Sequence, residues 1–156
     1  NWVILLGFVS GGIARGFCVG LAVTFTISFF VEIKIYSLLI IGITFLLTSV
    51  MFALAGFINA VFARTFDDIS IIPNFVLLPL TYLGGMFYSI DILPSFWRGV
   101  SAFNPIYYMM DAFRLGFLGV GSVELWKAFL VPILMIIVLA FVANALLNRG
   151  VSIKTE

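Results

Sequence analysis

Histidine is absent from the 156 residues, and cysteine occurs once, as Cys18. A disulfide within the chain is therefore excluded, and so is a metal site that needs cysteine and histidine ligands. Charged residues make up 10% of the chain, whereas a soluble domain carries about 25%. The net charge of +1 provides neither the basic patch that binds nucleic acid nor an acidic tail. We expect no metal, no cofactor and no nucleic-acid partner on this chain.

Hydrophobic residues, by contrast, make up 63% of the chain. The few polar groups could not cover a soluble surface, so the composition predicts a membrane protein. The chain begins with Asn1, and no charged segment precedes the apolar residues from Trp2 to Phe8, so a signal peptide is a poor interpretation of its start. We expect residues 1–156 to be the C-terminal part of one membrane domain of a longer protein.

Four uncharged runs predict four membrane-spanning helices. Runs of 29, 22 and 21 residues follow Lys34, Asp68 and Lys127, and each is long enough for a spanning helix of about 20 residues. The run after Arg15 has only 16 residues, so the first helix spans if Arg15 snorkels to an interface and the helix extends back towards Trp2. Because backbone groups in hydrocarbon must pair within their own segment, the predicted fold class is an all-α polytopic membrane protein. The predicted spans are residues 3–31, 37–63, 69–88 and 125–147.

Two of these spans carry small or helix-breaking residues. Gly12, Gly16 and Gly20 recur every four residues in the first span, which predicts a stripe where a second helix packs closely. Pro73 and Pro79 fall within the third span and predict a kinked or partly unwound helix.

The segment between the third and fourth spans has too many charges for another span, yet it is rich in aromatic residues and methionine. We predict two short re-entrant or interfacial helices there, over residues 94–102 and 105–118. Asn104 is a suitable N-cap for a helix that begins at Pro105, and Gly119 is a suitable end.

The second of these helices has an amphipathic pattern. On a helical wheel, Tyr107, Asp111, Arg114 and Leu118 share one face, and apolar residues take the other. Asp111 and Arg114 are three residues apart, which predicts an ion pair. Two roles stay open for this helix: a staple that holds the neighbouring spans together, or a lid over one mouth of a transport path.

The stretch LLPLTYLGGMFYSIDILPSFWRGVSAFNPIYYMMDAFRLGFLG, residues 77–119, resembles the signature region of ABC-2 type transporter permeases. These are the membrane subunits of bacterial ABC exporters of polysaccharides, lipids and drugs. The stretch ARTFDDIS, residues 63–70, and the glycine-rich first span also fit the family. The matching residues occur in the family's order and spacing: Leu83-Gly84-Gly85, Leu93-Pro94, Trp97, Asn104-Pro105, Tyr108, Arg114 and Gly119.

The resemblance implies that this chain supplies the third to sixth helices of a six-helix permease in the bacterial inner membrane. Residues 62–68 would form a cytoplasmic turn, residues 91–124 would lie on the outer side, and Arg15 would lie near the cytoplasmic end of its helix. The resemblance also implies ATP hydrolysis on a separate ABC ATPase subunit, a second permease copy in a homodimer, contact with membrane lipid, and export by alternating access.

Two groups of candidate site residues follow from the resemblance. Arg64, Asp67 and Asp68 form a compact charged group on the cytoplasmic turn, which is either a solvated turn with its own ion pair or a contact with the ATPase subunit. The residues of an outer re-entrant gate would be Asn104, Pro105, Tyr108, Asp111, Arg114 and Gly119.

Other classes of function stay open or are disfavoured by the residues themselves. No lysine follows a glycine, so no G-x-x-x-x-G-K-[ST] phosphate loop is present and we expect no enzyme activity from this chain. Lysine and arginine divide equally between the two sides of the predicted spans, so charge alone does not give the orientation. The main alternative is an ATP-independent secondary transporter or channel subunit. A membrane-embedded enzyme is disfavoured because histidine and clustered carboxylates are missing.

Overall fold

A computed structural model of the chain describes residues 2–32, 35–86 and 92–148. Within these ranges all regular structure is helical, which confirms the predicted all-α class. Three helices are long and apolar enough to cross a membrane, and their 24 to 27 residues correspond to about 36–40 Å. These helices are α1 (Trp2–Ser28), α2 (Leu38–Phe62) and α7 (Leu125–Asn148).

The glycine stripe of α1 faces α2. A Cβ atom on Gly12 would lie 2.6 Å from Cβ of Ala53, and one on Gly16 would lie 2.9 Å from Oγ of Ser49. A Cβ on Gly20 would lie 2.8 Å from the ring of Phe45. The absence of side chains therefore lets the two helices approach closely along their length.

The C-terminal half of α7 completes the core beside α1 and α2. Its Ala143 is fully buried, and the small side chain lets the helices meet there. The residues at the centre of this contact are Leu5, Leu54, Phe57 and Ala143.

The third predicted span is not one regular long helix. Over the predicted residues 69–88, the structure has α3 (Phe66–Ile72), one π-helical turn (Pro73–Leu77) and α4 (Leu78–Leu83). The backbone N–H of Leu78 donates to the carbonyl of Pro73, five residues earlier, in place of the usual four-residue spacing. Pro73 and Pro79 lack the N–H groups that a regular ladder needs, which explains the interruption. The predicted end of this span, residues 87–88, lies outside the described residues.

The short helices of the predicted re-entrant segment are α5 (Ser95–Ala102) and α6 (Pro105–Leu118). Their bounds agree with the predicted ranges to within one residue. Asn104 is the N-cap of α6, and Gly119 ends it with a left-handed φ of 71°, as the sequence predicts.

Candidate functional site

The start of α6 is tied to the end of α4 by Asn104. The side-chain oxygen of this residue accepts the backbone N–H of Ile106 at 3.0 Å, which caps α6. Its side-chain amide donates to the carbonyl of Leu80 at 2.6 Å. That carbonyl is available because the N–H of Gly84 donates to Thr81 at 3.2 Å. One buried asparagine therefore serves two helix ends.

Arg114 makes a second link from α6 to the third span. One guanidinium nitrogen (Nη2) donates to the carbonyl of Gly85 at 3.0 Å. Gly85 has a positive φ of 78° just after α4 ends, a conformation that favours glycine. The last carbonyls of a helix carry partial negative charge, so a cation is well placed beside them.

Asp111, which the helical wheel places on the polar face of α6, is buried in the structure. Its side chain is only 2% exposed. Both carboxylate oxygens accept the backbone N–H of Ser122 at 3.0 Å, and Oδ2 also accepts that of Val123 at 2.9 Å. The loop before α7 folds over the carboxylate, and its N–H groups replace water. The predicted ion pair with Arg114 is present but long, at 3.9 Å.

Two glycines that the sequence analysis did not single out allow these contacts. A Cβ on Gly121 would lie 3.3 Å from Oδ2 of Asp111, so this glycine lets the loop reach the carboxylate. The carbonyl of Gly116 accepts the backbone N–H groups of Tyr36 at 3.0 Å and Ser37 at 2.9 Å. A Cβ on Gly116 would lie 2.6 Å from Cγ1 of Ile41. The available sequence signal was the close spacing of Gly116, Gly119 and Gly121, which are three and two residues apart.

The remaining predicted residues of this group have local roles. The hydroxyl of Tyr108 donates to the carbonyl of Ala102 at 2.8 Å, which ties α6 to α5. Pro105 is buried as the first residue of α6. Gly119 lies against Tyr36, since a Cβ there would be 2.9 Å from the ring. Together with Asn104, Asp111 and Arg114, these contacts connect α6 to α4, to the start of α2, to α5 and to the loop before α7.

The charged turn lies at the opposite end of α2. Asp68 accepts the backbone N–H groups of Arg64 at 3.0 Å and Thr65 at 3.1 Å, and the hydroxyl of Thr65 accepts the N–H of Asp68. These bonds form a capping box at the start of α3. The backbone N–H groups of Arg64 and then Thr65 hold the pKa of the Asp68 carboxyl below its ordinary value. The cap is therefore intact above that ordinary pKa and is lost only as pH falls through the lowered one.

Arg64 and Asp67 carry the other two charges of this turn. In the part of the chain that the structure describes, the side chains of Arg64 and Asp67 form no hydrogen bond or ion pair, and both are exposed. The predicted ion pair within the turn is therefore replaced by the cap. An open recess of about 180 Å³ is lined by Ala63, Arg64, Thr65 and Ile69.

The three groups of predicted site residues occupy separate places. The gate candidates cluster at one end of the helices, Arg64, Asp67 and Asp68 lie at the other end, and the glycine stripe lies between α1 and α2. Among the described residues, no three potential metal ligands come together. The arrangement at the α6 end consists of hydrogen bonds between helix ends, which position helices relative to one another.

Comparisons with known proteins point to one family. Residues 1–118 match the family described as ABC-2 type transporter. The chain is 48% identical over 153 residues to Inner membrane transport permease YadH of Escherichia coli (strain K12), which covers 98% of this chain and 60% of that protein. It is 29% identical over 115 residues to Nodulation protein J of Rhizobium leguminosarum bv. viciae, which covers 74% of this chain and 43% of that protein.

The chain spans about 60% of the length of the first of these curated relatives. No solved structure matches it significantly.

Proposed function

The chain belongs to the ABC-2 type transporter family, and from that membership we propose that it is the C-terminal part of the membrane subunit of an ATP-driven exporter. It is a multi-pass protein of the inner membrane. The transported substrate would be a polysaccharide, a lipid or a drug-like molecule, moved by alternating access. In this proposal, the bent stretch from α3 to α4 is a fourth crossing, so the chain supplies the third to sixth helices of a six-helix permease.

Within this proposal, the observation that carries the role of α6 is the set of hydrogen bonds around this helix. Asn104 and Arg114 bind the end of the third crossing, whereas Asp111 binds the loop that leads into the last one. A helix of 14 residues is about 21 Å long, too short to cross a hydrocarbon core of about 30 Å. We infer that α6 re-enters the outer side of the membrane and acts as an outer gate, because a shift of either crossing must move it.

The energy source would lie on a second protein. In this proposal, an ABC ATPase subunit binds the turn at Arg64 and Asp67, and two permease copies form a homodimer with the path between them. The exposed side chains of these two residues and the recess that Arg64 lines support the contact. Asp68 is assigned to the helix cap rather than to the interface.

Charge reversal at this turn tests the proposed coupling. We expect Arg64→Glu combined with Asp67→Lys to reduce recovery of an ATPase subunit with the tagged full-length permease by about tenfold, which corresponds to roughly 1.4 kcal/mol of contact energy. The measurement is co-purification followed by ATP hydrolysis in proteoliposomes. The matched control is Asp68→Asn, since an asparagine oxygen can still accept the capping N–H groups while the charge is removed.

Two outcomes would count against the proposal. Equal recovery from the reversed and unchanged proteins would place the ATPase contact elsewhere. If the unchanged permease carries no ATPase subunit and moves its substrate without ATP, the protein is a secondary transporter or a channel subunit.

A further inference from the structure

Arg15 lies in α1, 13 residues before this helix ends at Ser28. The contacts between helices fix its depth. Because Gly12 faces Ala53 and Gly16 faces Ser49, Arg15 is level with the middle of α2. At 1.5 Å per residue, it lies about 20 Å from the Ser28 end of α1. This position does not fit the expectation that Arg15 lies near an interface.

The outer surface of the helices is apolar at the level of the first half of α1. Val3 is 82% exposed and Leu6 is 66% exposed. On the neighbouring helices at this level, Phe62 is 63% exposed and Phe141 is 74% exposed. Such a band of large apolar side chains belongs in hydrocarbon or against another apolar helix. With this band in hydrocarbon, the membrane boundary lies beyond Val3, and the Arg15 guanidinium, 12 residues or about 18 Å further along α1, does not reach it.

Within the described ranges, Arg15 has no carboxylate partner. Its side chain is exposed on a face of α1 that none of the described helices covers. A Cβ on Gly7 or Gly11 would meet nothing within 4 Å, and Gly11 precedes Arg15 by one helical turn. Small residues of this kind let a further helix approach closely. An arginine side chain that faces lipid at this depth carries a high free-energy cost. Charged residues of membrane helices therefore face the protein interior and pair there.

We propose that Arg15 forms an ion pair with a carboxylate on another membrane helix of the same permease, outside these 156 residues. This rests on the proposed function, in which the chain is part of a longer permease, and on its covering 60% of a relative's length. A second copy of the described part does not supply the partner. Its carboxylates lie at helix ends or in turns, apart from Asp111, which binds backbone N–H groups. Those other carboxylates are Glu32, Asp67, Asp68 and Glu124.

Replacing Arg15 by an apolar residue should lower the Tm if the guanidinium is paired with a carboxylate and raise the Tm if the guanidinium faces lipid. In the full-length protein, we expect Arg15→Leu to lower Tm by about 6–20 °C, because a carboxylate is left buried without its partner. Arg15→Lys keeps the charge and should retain most of the Tm. Val19→Leu is the matched control, since Val19 is 55% exposed one turn further along α1. Its Tm should stay within about 2 °C of the unchanged protein.

An unchanged or higher Tm for Arg15→Leu would overturn the proposal, because replacing an arginine that faces lipid with leucine stabilises the protein. Unchanged Tm with lost transport would overturn it as well, since it would assign the guanidinium to the substrate. The partner itself is found in an Arg15→Glu background, by changing each membrane-helix carboxylate outside these residues to lysine. Recovery of Tm in one such variant supports the proposal, and recovery in none contradicts it. Tm needs no ATPase subunit, so a failure of the exporter proposal would not by itself alter these results.

Discussion

Asp111→Ala is expected to destabilise the protein by about 2–4 kcal/mol, because it leaves the backbone N–H groups of Ser122 and Val123 without the buried acceptor that they now share. For a membrane domain of this size, that corresponds to a fall in Tm of about 4–16 °C. We expect the loop before α7 to come away from α6, so export should fall together with stability. The measurements are thermal unfolding of the purified full-length protein and ATPase coupling in proteoliposomes.

Glu124→Ala is the matched control for this prediction. Glu124 belongs to the same loop, pairs with Lys127 at 3.0 Å and accepts a hydrogen bond from Trp126 at 2.7 Å. Its carboxylate is exposed, so solvent replaces these partners and the Tm should change little. Equal falls in Tm for the two substitutions would show that the burial of Asp111 does not increase its contribution to stability.

Gly12→Leu is expected to disrupt the contact between α1 and α2, with a loss of about 1–3 kcal/mol or more. The first added carbon would lie 2.6 Å from Cβ of Ala53, which sits directly on the α2 backbone and cannot turn away. Gly16 and Gly20 face a serine hydroxyl and a phenylalanine ring, which can rotate, so Leu at those positions should cost less. The measurement is the Tm of the three variants, together with their yield in the membrane.

Gly42→Leu is the control for the glycine series. Gly42 lies in α2, is exposed, and has nothing within 4 Å of its virtual Cβ. The same change of residue type therefore occurs there without a steric conflict. A loss of Tm at Gly42 as large as that at Gly12 would indicate that glycine-to-leucine changes act through the helix backbone rather than through helix packing.

The sequence predicts most helices of this fold because its signals are local. Uncharged run lengths give α1, α2 and α7, and Asn104, Pro105 and Gly119 mark both ends of α6. The third span is harder, because two prolines predict a distortion without saying that the ladder widens to a π turn.

Sequence reasoning fails where a contact depends on a distant segment. Asp111 falls on the polar side of a helical wheel, but a loop 11 to 12 residues further on folds over it and buries it. The sequence predicts Asp68 as one partner of an ion pair, but its carboxylate accepts backbone N–H groups and caps α3 instead. Likewise, the length of a hydrophobic run does not say which part of α2 lies beside Arg15, whereas the contacts of Gly12 and Gly16 place Arg15 level with the middle of α2. These are tertiary contacts, which a local sequence pattern does not predict.

The most direct test of the proposed gate asks whether α6 separates from the third span during the ATP cycle. Gly84 and Ile106 are adjacent, since a Cβ on Gly84 would lie 3.0 Å from Cγ2 of Ile106. With Cys18 replaced by serine, cysteines at these two positions should form a disulfide in high yield in the nucleotide-free permease–ATPase complex. We predict that trapping the complex with ATP and vanadate lowers this yield several-fold, because the outer gate opens. The same yield in both states would contradict the gate and leave α6 as a fixed staple between the crossings.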